Sequence, residues 1–252
     1  MLRLDQNAVQ FFQTNGYTLF REPVFSEAKF AQLKTIFETL SAKAQAVGKR
    51  IDELDVPHFE DPRLFDYLLA DEVLDLVEPL IGPDIGLWSS HFIAKEPFTG
   101  RATPWHEDSA YWEGRFDRMD QIVTVWLAID PADEENGCMR VIPGTHHHGF
   151  SDYETVESLS NTFERAIRPD QIDESKAVYF ALQPNQCSLH DARLIHGAKA
   201  NTSPRRRCGY TMRYFSQSMR LNLEHPSNGT HRIWHARGRN VAENPVEAVP
   251  TA

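Results

Sequence analysis

Gln121-Ile-Val-Thr-Val-Trp-Leu-Ala-Ile129 is the stretch on which the fold turns. It is rich in β-branched residues, alternates only weakly between apolar and polar, and runs out into Asp130-Pro131 and Asn136-Gly137. That pattern is a strand closed by turn chemistry. Arg207 to Phe215 reads the same way. The texture changes at about Leu87, and upstream of it three stretches carry helical spacing. In Asp5 to Thr14, Val9, Phe11 and Phe12 form an apolar stripe that Gly16 stops. Ser26 is placed to cap a second helix in which Phe30, Leu33, Ile36, Phe37 and Leu40 recur. A third amphipathic stretch runs from Arg63 to Ile81 and ends at Gly82-Pro83. Strands that follow a helical preface, without βαβ alternation, predict a barrel or sandwich supported by helices. The tail after about Arg239 is polar with scattered Pro and is expected to fray.

The chain has 252 residues, 41% hydrophobic and 25% charged, which suits one large domain. We divide it into a helical preface of about 1–85, a β core of about 86–216 and a C-terminal extension of about 217–252. Cys138, Cys187 and Cys208 are odd in number and match no zinc spacing, so they read as reduced thiols of a cytoplasmic protein. The opening MLRLDQNAVQFF lacks the apolar run of a signal peptide, and no segment approaches a membrane span. Without a secretion signal, the glycosylation patterns at Asn201 and Asn228 carry no weight. A net charge of −10 argues against nucleic acid as a partner. Arg205-Arg206-Arg207 is a local basic exception. Nothing in the sequence speaks to oligomeric state.

His106-Glu107-Asp108 is the motif with chemistry in it. Dioxygen-activating iron sites often use two His and one carboxylate on one face, leaving the remaining positions open. At a strand end, His106 and Asp108 would project to one side and Glu107 away. Alone this signal is weak, because 11 His and 36 acidic residues yield about one to two His-x-acid triplets by chance. His58-Phe-Glu60 is a second such triplet, read as surface loop.

Context separates the two. Thr103-Pro-Trp-His-Glu-Asp-Ser-Ala-Tyr-Trp112 precedes Trp126-Leu-Ala-Ile-Asp130, Glu135-Asn-Gly-Cys-Met-Arg-Val-Ile-Pro-Gly-Thr-His146 and Leu194-Ile-His-Gly-Ala-Lys-Ala-Asn201. In these residues, and in Phe12-Gln-Thr-Asn-Gly-Tyr-Thr-Leu-Phe20, the chain resembles the phytanoyl-CoA dioxygenase family of iron(II)/2-oxoglutarate oxygenases, over about residues 8 to 216. The resemblance implies a mainly β double-stranded β-helix (jelly roll, cupin-like) with flanking helices and a metal at one open end. It implies His106, Asp108 and His196 as iron ligands, His196 being followed by Gly197 and by Asn201. It further implies Arg207, 11 positions after His196, as the grip on the far carboxylate of 2-oxoglutarate, with dioxygen as the other cosubstrate. A guanidinium suits that task because its planar fork meets a carboxylate bidentately. Arg206 is the next candidate, although it and Arg205 follow Pro204 and are expected to be solvated.

The remaining candidates are weighed residue by residue. The run His146-His147-His148 matches a turn of the family pattern and is set aside as a metal site. His190 is expected to be structural or to support the ligands, with Asp191-Ala-Arg193 breaking the register before His196. His91 and Trp126 are candidates for the cosubstrate pocket, against packing roles; Trp105, Trp112 and Trp126 carry large apolar area and default to core. Tyr111 and Trp112 follow Asp108 closely enough to line a pocket mouth.

The implied activity is hydroxylation of a small molecule with release of succinate and carbon dioxide. A carboxylate at Asp108 favours hydroxylation, or another two-electron oxidation, over halogenation. A non-oxidative jelly-roll enzyme, an isomerase or hydrolase holding zinc or manganese, is the alternative, and a binding protein that has lost catalysis is a third reading. The pocket walls, expected from residues 113–120 and 150–173, carry no motif, so the substrate stays open. A small polar metabolite or biosynthetic intermediate is preferred to an acyl-CoA, because no nucleotide-phosphate cradle is evident.

Overall fold

The structure, a computed structural model, describes residues 3–157 and 159–250; Ser158, in the expected pocket wall, lies outside the described residues, as do Met1, Leu2, Thr251 and Ala252. Helix α1 (Gln6–Asn15) is capped by Asp5, whose carboxylate accepts from Ala8 N, and stops at Gly16 with φ of 80°. Within it Phe12 is buried, whereas Phe11 is 44% exposed and leaves the expected stripe to meet Tyr17 edge-on. After β1 (Tyr17–Phe20), Ser26 caps α2 (Glu27–Ala46) by accepting from Lys29 N. There follow β2 (Leu54–Asp55), α3 (Phe65–Leu68) and α4 (Asp71–Ile81).

The single stretch expected over Arg63 to Ile81 is therefore two helices. Ala70 adopts extended backbone, with ψ of 134°, between them. Three tertiary contacts hold the break: Tyr214 Oη donates to Leu68 O, and Asp71 and Glu72, at the new N-terminus, pair with Arg237 and Lys29 respectively. Acidic residues favour a helix N-terminus, where the dipole is positive.

The β core comprises β3 (Ile85–Lys95), β4 (Thr103–His106), a one-turn helix α5 (Asp108–Tyr111), β5 (Ile122–Ala128), β6 (Met139–Val141), β7 (Tyr153–Thr155), β8 (Arg165–Ile167), β9 (Val178–Tyr179), β10 (Cys187–Asp191), β11 (His196–Ala198), β12 (Arg207–Ser216) and β13 (Trp234–Arg237). A seven-stranded antiparallel sheet runs β1-β10-β5-β12-β3-β13, with β2 also on β3; a four-stranded sheet runs β4-β11-β6-β9. The fold is mainly β with flanking helices, a double-stranded β-helix. The preface lends two strands, β1 and β2, and the C-terminal extension one, β13, to the large sheet.

Period-two alternation divides that sheet into a helix-packed face and a cavity face. Val123, Val125 and Leu127 of β5, with Tyr210 and Met212 of β12, share one apolar core with Leu33 and Phe37 of α2 and Val73, Leu76 and Val77 of α4. Thr124 and Trp126, with Arg207, Thr211 and Arg213, line a cavity on the other side. Because the helices cover one face and the second sheet the other, β5 is buried throughout and reads as a near-continuous apolar run. Truncating a wholly buried ring such as Phe37 costs about 3–5 kcal/mol.

The tail does not fray as expected. Asn244 is buried, accepting from Leu221 N and donating to Met219 O, and Glu247 N donates to Ile233 O. Its polar side chains are taken up in satisfying backbone groups of residues 219–221. No helix among the described residues is long and apolar enough to cross a membrane.

Candidate active site

The three expected ligands meet. His106 closes β4 and stands in register with His196 at the start of β11, ring centroids 4.1 Å apart. Asp108 is not on the strand, as the His-x-Asp reading expected, but is the first residue of α5. The turn into that helix still puts one ligand atom from each residue within 4.8 Å of the others. Glu107 points away and is buried, its carboxylate accepting from Tyr153 Oη at 2.6 Å and from Ser151 Oγ. It thereby ties the β4–α5 junction to the segment before β7.

The donor set fits a divalent metal. His106 Nδ1 lies 2.8 Å from Pro104 O, and His196 Nδ1 lies 2.8 Å from Leu194 O. A carbonyl only accepts, so both Nδ1 atoms carry the proton and both Nε2 lone pairs are left for a metal. Burial, and then the neighbouring His196, push His106 down to about 3, keeping it a neutral ligand. Burial alone would raise Asp108, but Arg213 and the surrounding histidines overcome it and hold the carboxyl below its ordinary range. Thr124 Oγ1 donates to Asp108 Oδ2 at 3.3 Å.

Arg207 opens β12 and is 1% exposed. Its Nε and Nη2 donate to Gly137 O at 3.0 and 2.6 Å, and its Nη1 donates to Ile93 O at 3.2 Å. Gly137 has φ of 76°, and a Cβ there would stand 2.4 Å from Lys199 O, so only glycine brings this carbonyl to the guanidinium. Arg207 lines the same cavity as the His-Asp-His cluster, with its Cζ 5.4 Å from the Trp126 ring. Trp126 lies against Gly209, where a Cβ would come within 2.1 Å of the indole. His91 also lines the cavity, between Asp52 O and Asp55. Asn201 is buried; its amide donates to Lys95 O, Glu96 O and Arg205 O, fixing the loop that delivers Arg207.

Arg206 is not the solvated residue expected, nor a free candidate for the cosubstrate. Its guanidinium is held by Glu38 and Asp130 outside the cavity. Arg205 is exposed and pairs with Asp133 and Glu135. His146 and His147 both turn to Gln13 O, away from the cluster. His190 sits on β10 in the other sheet, its Nε2 4.0 Å from Asp108 Oδ2 and neither ring nitrogen hydrogen-bonded. His58 is not at the surface: it is 1% exposed, meets Ser90 Oγ at 2.7 Å and packs on Trp234. Its neighbours in sequence resemble a loop, but the C-terminal extension covers it.

Sequence reasoning missed Arg213, Thr124 and Phe163, all of which line the cavity. Arg213 and Thr124 had a signal, since they share the faces of Arg207 and Trp126 at even spacing. Phe163 lies on the motif-free wall and had none. Tyr111 and Trp112 line a larger outer cavity of about 450 Å³ that adjoins the first at His91, Asp108, Phe163 and Arg213.

Known proteins place this arrangement in a class. The profile of the family described as Phytanoyl-CoA dioxygenase (PhyH) matches residues 12–209. The chain belongs to that family. It is 28% identical over 225 residues to the peroxisomal phytanoyl-CoA dioxygenase of Homo sapiens, covering 80% of this chain and 64% of the relative. It is 27% identical over 160 residues to L-proline trans-4-hydroxylase of Streptomyces griseoviridis, covering 56% and 59%. The chain thus spans less than two thirds of the length of these curated relatives. Among solved structures, apo ThoJ, a non-heme monooxygenase, superposes with a TM-score of 0.79 at 23% identity, covering 96% of this chain and 88% of that one. EctD from S. alaskensis, with 2-oxoglutarate and 5-hydroxyectoine, gives 0.73 at 21%, covering 98% and 86%. At these identities the superpositions speak for the fold.

Proposed function

We propose that this protein is an iron(II)- and 2-oxoglutarate-dependent dioxygenase that hydroxylates a small molecule and releases succinate and carbon dioxide. One observation carries the reading: the His106–Asp108–His196 cluster and the buried Arg207 line one cavity. A zinc or manganese isomerase or hydrolase would need the cluster but not the arginine.

His106 and His196 would hold iron through Nε2, and Asp108 through its carboxylate. Iron supplies the activation of dioxygen. Of the five N–H groups of Arg207, three are spent on Gly137 O and Ile93 O. One N–H on each terminal nitrogen remains, which suits the two oxygens of the cosubstrate's far carboxylate. Trp126 and His91 would wall that subsite and exclude water from it. The ionised Asp108 occupies the position a halide would need, so hydroxylation or another two-electron oxidation is the expected outcome.

We read the whole chain as one catalytic unit without a nucleic-acid partner, working in the cytoplasm; three buried, unpaired thiols support a reducing compartment. The phytanoyl-CoA relatives are named peroxisomal, which makes the compartment a matter for localisation experiments. The function is tested by oxygen- and iron-dependent conversion of 2-oxoglutarate to succinate, then by screening candidates that raise its rate. Absence of succinate under all iron-loaded conditions sinks the reading.

A further inference from the structure

We propose that the outer cavity docks an organic carboxylate on Arg213, so that the molecule oxidised here is a small organic acid with an apolar or aromatic body. This rests on the oxygenase reading for the oxidation step, and on the cavity alone for the binding step.

Arg213 stands where the two cavities meet, with 11% of its side chain exposed. Among the described residues its one counter-charge is Asp108, whose Oδ2 lies 3.5 Å from Nε. Neither terminal nitrogen donates to a described residue. The Trp112 ring centroid lies 5.5 Å from Cζ, within cation–π range.

Charge balance then requires an anion. With the site loaded as proposed, the two charges of the metal and the one of Arg207 are matched by Asp108 and the 2-oxoglutarate dianion. Asp108 is thereby committed in charge, and Arg213, which keeps its Nε contact to Asp108 Oδ2, is left as a nearly buried cation whose charge is otherwise unbalanced among the described residues. Among the described residues no other carboxylate relieves it. Asp52 is held by Arg50 and Arg101, while Asp55, on the rim, is 67% exposed and beside His91.

The cavity repeats the same bias on its far wall. Arg115 meets only neutral partners, donating to Asn228 Oδ1 and Ser227 O, with its Cζ 4.4 Å from the Trp88 ring. His231 Nε2 donates to Trp88 O, and burial keeps the ring neutral. In a chain of net charge −10, a cavity with two arginines and no buried carboxylate to spare is selective for anions. Trp88, Trp112, Tyr111 and Phe163 supply the apolar walls. A carboxylate fits Arg213 better than a point charge does, because both free nitrogens lie in one fork. Because Arg213 adjoins Asp108, the carbon presented to the metal lies only a few bonds from that carboxylate.

The test uses the full chain loaded with zinc(II) and saturating 2-oxoglutarate, so that no turnover occurs. 3-Phenylpropanoate, indole-3-acetate and their primary amides are titrated, with isothermal titration calorimetry as the readout. The carboxylates should bind at least about tenfold more tightly than the amides, the difference made by hydrogen bonds to a charged group. Arg213→Met should abolish the difference and leave amide binding unchanged. Arg213→Lys, which keeps the charge and loses the fork, should retain part of it and guards against a misfolded Met variant. Equal binding of acid and amide by the unaltered protein, no binding of either acid, or a preference that survives Arg213→Met overturns the proposal. Loss of the iron(II)–2-oxoglutarate absorption band alongside an intact acid preference would count against the oxygenase reading alone.

Discussion

His196 stands directly opposite His106 across the β4–β11 ladder, and each ring hangs by Nδ1 from the carbonyl two residues before it. The same device, used twice, turns two Nε2 atoms towards Asp108. It makes the candidate metal cluster a property of one strand pair and the turn that follows it.

Replacing His196 by Ala should therefore cost more than the about 10–100-fold in metal affinity or activity that losing an outer-sphere partner brings. The measurement is iron(II) or cobalt(II) titration of the apo-protein. Retention of unaltered affinity would mean that the cluster is not where the metal binds.

Arg207→Lys should raise the KM for 2-oxoglutarate by about 10- to 150-fold, the range set by a hydrogen-bonded charged pair. It should leave the KM for iron nearly unchanged. A variant that loses iron affinity instead would show Arg207 supporting the fold through Gly137 O and Ile93 O rather than holding the cosubstrate.

Asn201→Ala removes an amide that serves three carbonyls and a side-chain oxygen that accepts from Ser203. We expect about 1–3 kcal/mol of destabilisation in urea unfolding, together with a higher KM for 2-oxoglutarate. Unchanged stability would contradict the role given to this loop.

The metal-free protein should lose stability as pH falls. Burial, with His231 and Arg232 adding to it, pushes His58 down to about 3; His231 falls to about 4, again mainly by burial. The unfolded chain protonates these rings near 6.5, so below that pH it binds protons that the folded chain does not. Stability is thus highest above about 6.5 and declines towards about 3–4. His58→Asn should blunt the fall in Tm between about pH 7 and about pH 4. An unaltered slope would remove His58 from the acid response.

How much of this was legible in sequence depended on what a residue answers to. β5 and β12 were readable because burial on both faces selects β-branched and aromatic residues along their length. That His106, Asp108 and His196 would cluster was readable through the family resemblance, whose stretches contain all three. The break at Ala70 was not, because it is set by Tyr214 and Arg237, far along the chain. His58 and the tail were misread for the same reason: each is buried by the other end of the chain or holds it. Arg213 was visible in principle, six residues beyond Arg207 on the same face of β12. It was passed over because no motif names it. Phe163 belongs to a loop whose path depends on everything beneath it.

On the proposed function, His106, Asp108, His196 and Arg207 assemble one iron and 2-oxoglutarate site. Anaerobic addition of iron(II) and 2-oxoglutarate to the purified protein tests it most directly. We predict a visible charge-transfer band that appears only when both are present, is lost in His196→Ala, and needs far more 2-oxoglutarate in Arg207→Lys. No band in the unaltered protein, with zinc tightly retained through purification, would contradict the account and favour a non-oxidative metal enzyme.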